Sequence, residues 1–302
     1  MSIKPDLLHK GDKIAIVATA RKICLKELEA SISLFSSWGL DVIIGKSIGV
    51  EDNQFAGNDT QRAEDLQRFL DDKDIKAIFC ARGGYGTVRI IDKLDFSLFI
   101  KSPKWIIGYS DPTVLLSHIY FNYNIETIHG IMPLNIKSDS LNSVAIESLK
   151  KCLFEGKSIN TYSSNQMNIL GETEGELIGG NLSVIYSLLG SSSFGDTNDK
   201  ILFIEDLDEY IYHIDRMMQA LKRAGKLNKL KGLIVGAFSD MHDNTIPFGK
   251  TSEEIILDTV KEYGYPIAFN IPIGHLEQEN IACIIGRKTS LTVDKDKVII
   301  EQ

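Results

Sequence analysis

The stretch Trp105–Ile119 reads WIIGYSDPTVLLSHI. An apolar run of strand length, a turn at Gly108–Pro112 and an apolar run of helical length follow one another with no spare sequence. A buried strand feeding straight into a helix is the repeating unit of an α/β sheet. Ser110 stands at the corner. Pro112 is expected in the first helical turn, where its missing N–H is harmless, which puts Ser110 at or next to the N-cap, a place serine favours for capping alone. The same corner has a chemical reading. A serine on a tight strand-to-helix turn projects its hydroxyl from the sheet edge, and the next amide, that of Asp111, leaves the helix N-terminus where it can stabilise an oxyanion. The corner departs from the hydrolase pattern G-x-S-x-G in carrying Pro112 where the second glycine would stand.

Outward from this corner the same alternation continues. Upstream, KIAIVATA, CLKELEASISLFSSWG, DVIIGKSI, AEDLQRFLDD, KAIFCAR and TVRIIDKLDF alternate strand-length and helix-period runs, and IETIHGIM follows downstream. This predicts an N-terminal Rossmann-like domain with a mainly parallel sheet over residues 1–155. The segment KSINTYSSNQMN turns polar and loses its period, so a linker is expected at residues 156–170. A second α/β domain, with more strand near its end, is expected over 171–302: GELIGGNLSVIYSLLG, ILFIEDLDEY, IDRMMQALKRAGKLNKL, LIVGAF, SEEIILDTVKEYG, PIAFNIPIGH, IACIIG and KVIIEQ. No internal repeat or low-complexity tract is visible.

Composition narrows the function classes. The chain has 302 residues, 43% of them hydrophobic, enough for two globular cores. A net charge of −8, from 41 acidic against 33 basic residues, argues against a nucleic-acid partner. The N-terminus carries charges too early for a signal peptide, and no segment has the apolar length of a membrane span, so a soluble cytoplasmic protein without a membrane partner is expected. Cys24, Cys80, Cys152 and Cys283 show no metal spacing, and three lie in apolar surroundings, which fits reduced thiols.

A serine hydroxyl is a poor nucleophile until a base takes its proton and an acid orients that base. In open α/β sheets such groups meet beyond the C-terminal ends of strands. The run KILFI ends in Glu205, and PIAFNIPIG, read as a strand, ends in His275. The order Ser110, Glu205, His275 is the chain order of α/β hydrolases, and it implies a site between the two domains. Each residue also has a structural reading: Glu205 as a cap or surface carboxylate, His275 as a hydrogen-bonded structural histidine. Among the six histidines, His129, after the run IETI, is the main rival base.

Two glycine clusters stand at similar corners. Arg82-Gly-Gly-Tyr-Gly-Thr87 lies between a strand and an expected helix and reads G-G-x-G, not the G-x-G-x-x-G of a dinucleotide site. Its alternatives are a plain tight turn or an amide of Gly83 or Gly84 that completes an oxyanion hole with Asp111. Gly179-Gly180-Asn181 offers Asn181 either as a helix cap or as a ligand-binding side chain. The loop Asp240–Asp243 has metal-capable side chains without a remote partner, and Arg216, in an amphipathic helix, reads as an ion-pair partner. No metal or cofactor is called for.

These residues, taken in order, resemble the LD-carboxypeptidase family of serine peptidases, which also includes the microcin C self-immunity proteins. The blocks GDKIAIVATA, FAGNDTQRAEDLQ, ARGGYGTVRIIDKLDF, IIGYSDPTVLL, HGIMP, GELIGGNLSVIYSLLGS, IEDLDEYIYHIDRMMQALKRAG and IPIGH run almost end to end. The resemblance implies Ser110 as nucleophile, Glu205 as acid, His275 as base, and Asp111 with Gly84 as the oxyanion hole; the glycine clusters themselves offer Gly83 and Asn181 as substrate-binding residues. It further implies a Rossmann-like first domain, a second α/β domain with a small barrel-like sheet, and a homodimer. The implied substrate is a small peptide whose terminal D-amino acid follows an L-centre, as when D-alanine is released from cytoplasmic murein tetrapeptide during cell-wall recycling. The chain's length favours this over cleavage of aminoacyl-sulfamoyl adenylates by the immunity-type branch. The competing class is a non-catalytic ligand-binding module in which Ser110 only caps its helix.

Overall fold

The computed structural model describes residues 2–302. In chain order the first half carries β1 (Lys13–Val17), α1 (Glu29–Ser37), β2 (Asp41–Ile44), α2 (Asp59–Asp71), β3 (Ile75–Cys80), α3 (Ser97–Lys101), β4 (Trp105–Gly108), α4 (Thr113–Tyr123), β5 (Thr127–His129) and α5 (Val144–Phe154). The second half carries β6 (Ile159–Ser163), β7 (Gly171–Asn181), α6 (Leu182–Ser187), β8 (Lys200–Leu207), α7 (Ile211–Arg223), β9 (Gly232–Ser239), α8 (Ser252–Val260), β10 (Ile267–Ala268), β11 (Cys283–Ile285), β12 (Lys288–Val293) and β13 (Lys297–Glu301).

Two sheets result. The first has the order β11-β5-β4-β3-β1-β2, with β1 to β5 parallel. Its central strands are mostly apolar because helices cover both faces, and every residue of β4 is buried. The second sheet has the order β10-β9-β8-β7-β12-β13-β6: its β7 to β10 part is parallel and its β12, β13 and β6 are antiparallel. This is the mixed α/β architecture expected from the alternating runs.

The helix after Ser110 joins the halves. Residues Thr113 to Tyr120 of α4 are all buried, which a surface helix with one apolar stripe would not show. It packs on β4 and β5 of the first sheet and on β7 and α6 of the second. One apolar core accordingly runs through both halves, with Ile106 and Leu116 in the same cluster as Ile204 and Leu233, while a second core fills the opposite face of the first sheet. Gly180 makes the contact possible: its φ is +143°, and a Cβ there would lie 2.5 Å from Thr113 Cγ2.

Four segments differ from the sequence expectation. The polar stretch expected as a linker at 156–170 contains β6, an edge strand paired with β13 through Tyr162 and Val298. Its residues alternate between exposed and half-buried, so the ladder supplies the order that apolar content does not. The run IACIIG forms β11 in the first sheet, antiparallel to β5 with Cys283 opposite His129, so the chain crosses back after residue 280. TVRIIDKLDF forms two short 3-10 turns, Thr87–Arg89 and Ile91–Lys93, instead of a helix. PIAFNIPIGH is strand only at Ile267–Ala268, because Asn270 takes φ +59° and Pro272 has no N–H for a ladder.

Cys80, Cys152 and Cys283 are buried free thiols, and Cys24 is exposed and free. No helix among the described residues is long and apolar enough to cross a membrane.

Candidate active site

Ser110 sits in a strained corner. Its φ of +65° lies in the left-handed region that a residue with a side chain occupies only when its surroundings enforce it. The enforcement is local. A Cβ on Gly108 would lie 2.8 Å from Pro112, so the turn closes tightly on the strand end. The first helical amide, Thr113 N, donates to the Ser110 carbonyl at 2.9 Å. Pro112 occupies the N-cap of α4, one place earlier than expected, and no side chain caps the helix. Capping therefore does not account for Ser110.

The glycine turn faces this corner. A Cβ on Gly83 would lie 2.9 Å from both Cβ and Oγ of Ser110, and one on Gly84, at φ +121°, would collide with the Arg21 side chain. Asp111 fastens the two segments together, its buried carboxylate accepting from Gly86 N at 3.1 Å and Thr87 N at 2.9 Å. Burial pushes that carboxyl above its ordinary range against these hydrogen bonds. The amides of Gly83, Gly84 and Asp111 themselves have no hydrogen-bond partner among the described residues.

Glu205 comes from a parallel strand that changes register on β9 between Ile204 and Asp206, an irregularity that re-aims side chains at a strand end. It is fully buried, and its Oε2 lies 2.7 Å from His275 Nδ1. Oε1 has no hydrogen-bond partner among the described residues. His275 lies in the loop that follows β10, not at a strand end. Three contacts hold it there: Gly274 N donates to Asn280 Oδ1 at 2.8 Å, Ser239 Oγ donates to the His275 carbonyl at 3.1 Å, and the Tyr109 ring stands 5.0 Å from the imidazole. Gly274, at φ +115°, is required as glycine because a Cβ would lie 2.5 Å from Glu205 Oε2. Burial alone would lower the His275 pKa; the hydrogen bond and charge of Glu205, with the charge of Asp206, outweigh it and hold the imidazole above its ordinary value.

Ser110 and His275 line one cleft of about 350 Å³, together with Gly83, Gly84, Asn181 and Asp206. Asn181 caps α6, accepting from Val184 N at 3.1 Å, while its Nδ2 donates to Asp206 Oδ1 at 2.9 Å and its backbone N to Thr113 Oγ1 at 3.3 Å. Asp206 Oδ2 accepts from Ser183 N at 2.9 Å. Burial, and then the charge of Glu205, pushes Asp206 up to about 7. A buried polar chain thus runs from the α4 terminus through Asn181 to the strand that carries Glu205. Sequence reasoning missed Asp206, Thr113, Gly274 and Asn280 as parts of this arrangement. The ED run pointed towards Asp206 and the IPIGH run towards Gly274, while nothing local marked Thr113 or Asn280.

The other candidates stand apart from this site. His129, the rival base, is fully buried in β5 with neither ring nitrogen hydrogen-bonded, and burial lowers its pKa to about 4. His118 bonds Ser193 Oγ, His213 bonds Glu209 and His242 bonds Asp208. Arg216 stacks over Tyr212 at 5.1 Å, where an ion pair was expected. Among the described residues no three His, Cys, Asp or Glu side chains converge as metal ligands would.

A strained serine, a carboxylate-buttressed histidine and a shared cleft between two sheets define a hydrolase-like α/β protein. Residues 14–130 match the LD-carboxypeptidase N-terminal domain and residues 174–291 the LD-carboxypeptidase C-terminal domain. The chain is 36% identical over 308 residues to a Bacillus subtilis (strain 168) protein named "Probable murein peptide carboxypeptidase", covering 100% of this chain and 95% of that one. It is 30% identical over 228 residues to the Microcin C7 self-immunity protein MccF of Escherichia coli, covering 66% of each. The crystal structure of muramoyltetrapeptide carboxypeptidase from Oxalobacter formigenes superimposes with a TM-score of 0.86 at 25% identity, over 96% of this chain and 98% of that one. The chain belongs to the LD-carboxypeptidase family.

Proposed function

We propose that the protein is a serine-type LD-carboxypeptidase that releases a terminal D-amino acid, D-alanine, from murein tetrapeptide during cell-wall recycling in the cytoplasm. The observation that carries this reading is the 2.7 Å contact of His275 Nδ1 with a fully buried Glu205 beside the strained Ser110 in the same cleft. That contact fixes the imidazole tautomer, which leaves Nε2 to take the serine proton.

In this proposal Ser110 Oγ attacks the scissile carbonyl carbon as its proton passes to His275. The oxyanion forms against the amides of Asp111 and Gly84, groups without another partner among the described residues. Glu205 stabilises the imidazolium, which gives its proton to the departing amine of the D-residue. Water, activated by the same imidazole, then hydrolyses the acyl-enzyme and restores the hydroxyl. Gly83 and Asn181 line the space in which the peptide lies. The extent of the Bacillus subtilis match, which covers this chain whole, favours a murein peptide over the aminoacyl-sulfamoyl adenylate of the immunity branch. The proposal includes a homodimer and no nucleic-acid partner.

The test is a side-by-side assay of D-alanine release from murein tetrapeptide and hydrolysis of an aspartyl-sulfamoyl adenylate, with a serine-directed phosphonate as probe. Tetrapeptide turnover and His275-dependent labelling of Ser110 are expected. Turnover of the adenylate alone assigns the protein to the immunity branch, and neither turnover nor labelling assigns it to a binding module. Sedimentation measures the dimer.

A further inference from the structure

Two guanidinium groups flank the glycine turn at Ser110 with no hydrogen bond or ion pair to a carboxylate among the described residues. Arg21 and Arg82 both line the cleft. Arg21 is exposed, its side chain lies over Gly84, and its guanidinium has no hydrogen bond or ion pair among the described residues. Arg82 is half-buried; one Nη donates to the Lys22 carbonyl at 3.1 Å, while its buried Nε has no partner. The carboxylate whose charge acts on Arg82 is Glu27, which accepts from the Cys24 amide at 2.9 Å instead of bonding the guanidinium. Burial and the neighbouring Arg21 charge hold the Arg82 guanidinium below the usual arginine range, so each cation raises the energy of the other until an anion arrives.

The carboxylates of the cleft are already engaged, Asp206 with Asn181 and Ser183 and Asp208 with His242. Asp206 and Asp208, at the end of β8, line the same cleft. An anion entering the cleft is therefore directed to the glycine-turn side, where the serine is. A carboxypeptidase needs an anion there, because the terminal carboxylate lies one residue beyond the scissile carbonyl, roughly 3–4 Å further along the chain. Arginine suits this task, since its planar fork matches a carboxylate with two parallel hydrogen bonds.

Resting on the proposed carboxypeptidase reading, we infer that Arg21 and Arg82 bind the terminal carboxylate of the leaving D-residue and so restrict the cleft to peptide ends. The pair are specificity-determining residues.

The experiment measures binding of murein tetrapeptide and of its C-terminal carboxamide by calorimetry to full-length protein carrying Ser110→Ala, which cannot turn the peptide over. The acid is expected to bind about 10- to 100-fold more tightly than the amide, the range set by a charge-assisted pair. Adding Arg21→Gln or Arg82→Gln should weaken the acid by a similar factor and leave the amide unchanged. Arg21 is exposed, so its variant keeps the fold if Arg82→Gln does not. Equal binding of acid and amide, no binding of the acid, or an acid preference that survives both substitutions overturns the inference. Wild-type turnover is scored separately: an acid preference erased by the arginine variants, without D-alanine release, leaves the anion site standing and removes the peptidase reading.

Discussion

The serine corner and the histidine loop are built in opposite ways. Strand, turn and helix at Ser110 lie within Trp105–Tyr123, and the strain at Ser110 is enforced by its own neighbours Gly108, Pro112 and Thr113. His275 belongs to no regular element. Its position depends on Asn280 within its own loop, on Ser239 from β9, on Glu205 from β8 and on the Tyr109 ring from the serine corner. A nucleophile that must hold an unfavourable φ benefits from a stiff local frame, whereas a base that must meet two distant partners is placed by tertiary contacts. The two regions should therefore respond differently to substitution.

Breaking the serine corner chemically, without disturbing its frame, should have the largest effect. Ser110→Ala is expected to lower kcat on murein tetrapeptide on the order of 10³-fold or more with an unchanged melting temperature. Steady-state kinetics and thermal denaturation check both halves of this statement.

Glu205→Gln attacks the histidine side while keeping its size. A loss of about 10²- to 10³-fold in kcat is expected, because the amide no longer stabilises the imidazolium. The pH profile sharpens the point. His275 accepts a proton only when neutral, and its pKa is raised above the ordinary 6.5, so wild-type kcat/KM should fall as pH drops through a midpoint above that value. In Glu205→Gln the main raising influence is gone while burial and the lesser effect of Asp206 remain, so the midpoint should move down. An acid limb that stays in place would show that another group sets it.

Gly274→Ala tests how far the loop depends on close approach. Its φ of +115° and the 2.5 Å clash with Glu205 Oε2 predict a loss of roughly 10- to 100-fold in kcat/KM and about 1–3 kcal/mol of stability. Unlike Ser110→Ala, it should move the melting temperature and the rate together.

The smallest effect is expected at the rival base. His129→Leu removes two unpartnered buried nitrogens from β5, so activity should stay within about threefold and stability should hold or rise. A large loss of kcat with an intact fold would transfer the base role away from His275.

Much of this was legible in the sequence because it is local. WIIGYSDPTVLLSHI carries its own strand, its own turn residues and its own helix, and the alternating apolar runs define a mostly parallel first sheet. The ED and P-x-G-H runs marked Glu205 and His275 as residues to watch, although PIAFNIPIGH misled as a continuous strand. β6 and β11 were hidden for a related reason. A polar edge strand is ordered by the ladder it joins and has no signature of its own, and nothing in IACIIG tells which sheet its edges will meet.

Hydrophobic period and turn chemistry, being properties of neighbouring residues, thus determined the fold class, the serine corner and the candidate partners from sequence alone. The tertiary structure alone decided that Pro112 takes the N-cap, that Asp111 ties the glycine turn to the serine, that Asn181 ties α4 to the second sheet, and that Arg21 and Arg82 form no hydrogen bond or ion pair with a carboxylate among the described residues. These are statements about which groups satisfy one another's charges and hydrogen bonds across long stretches of chain. Such pairings are fixed only when α4 is buried between the two sheets and the polar groups around it must find partners out of water.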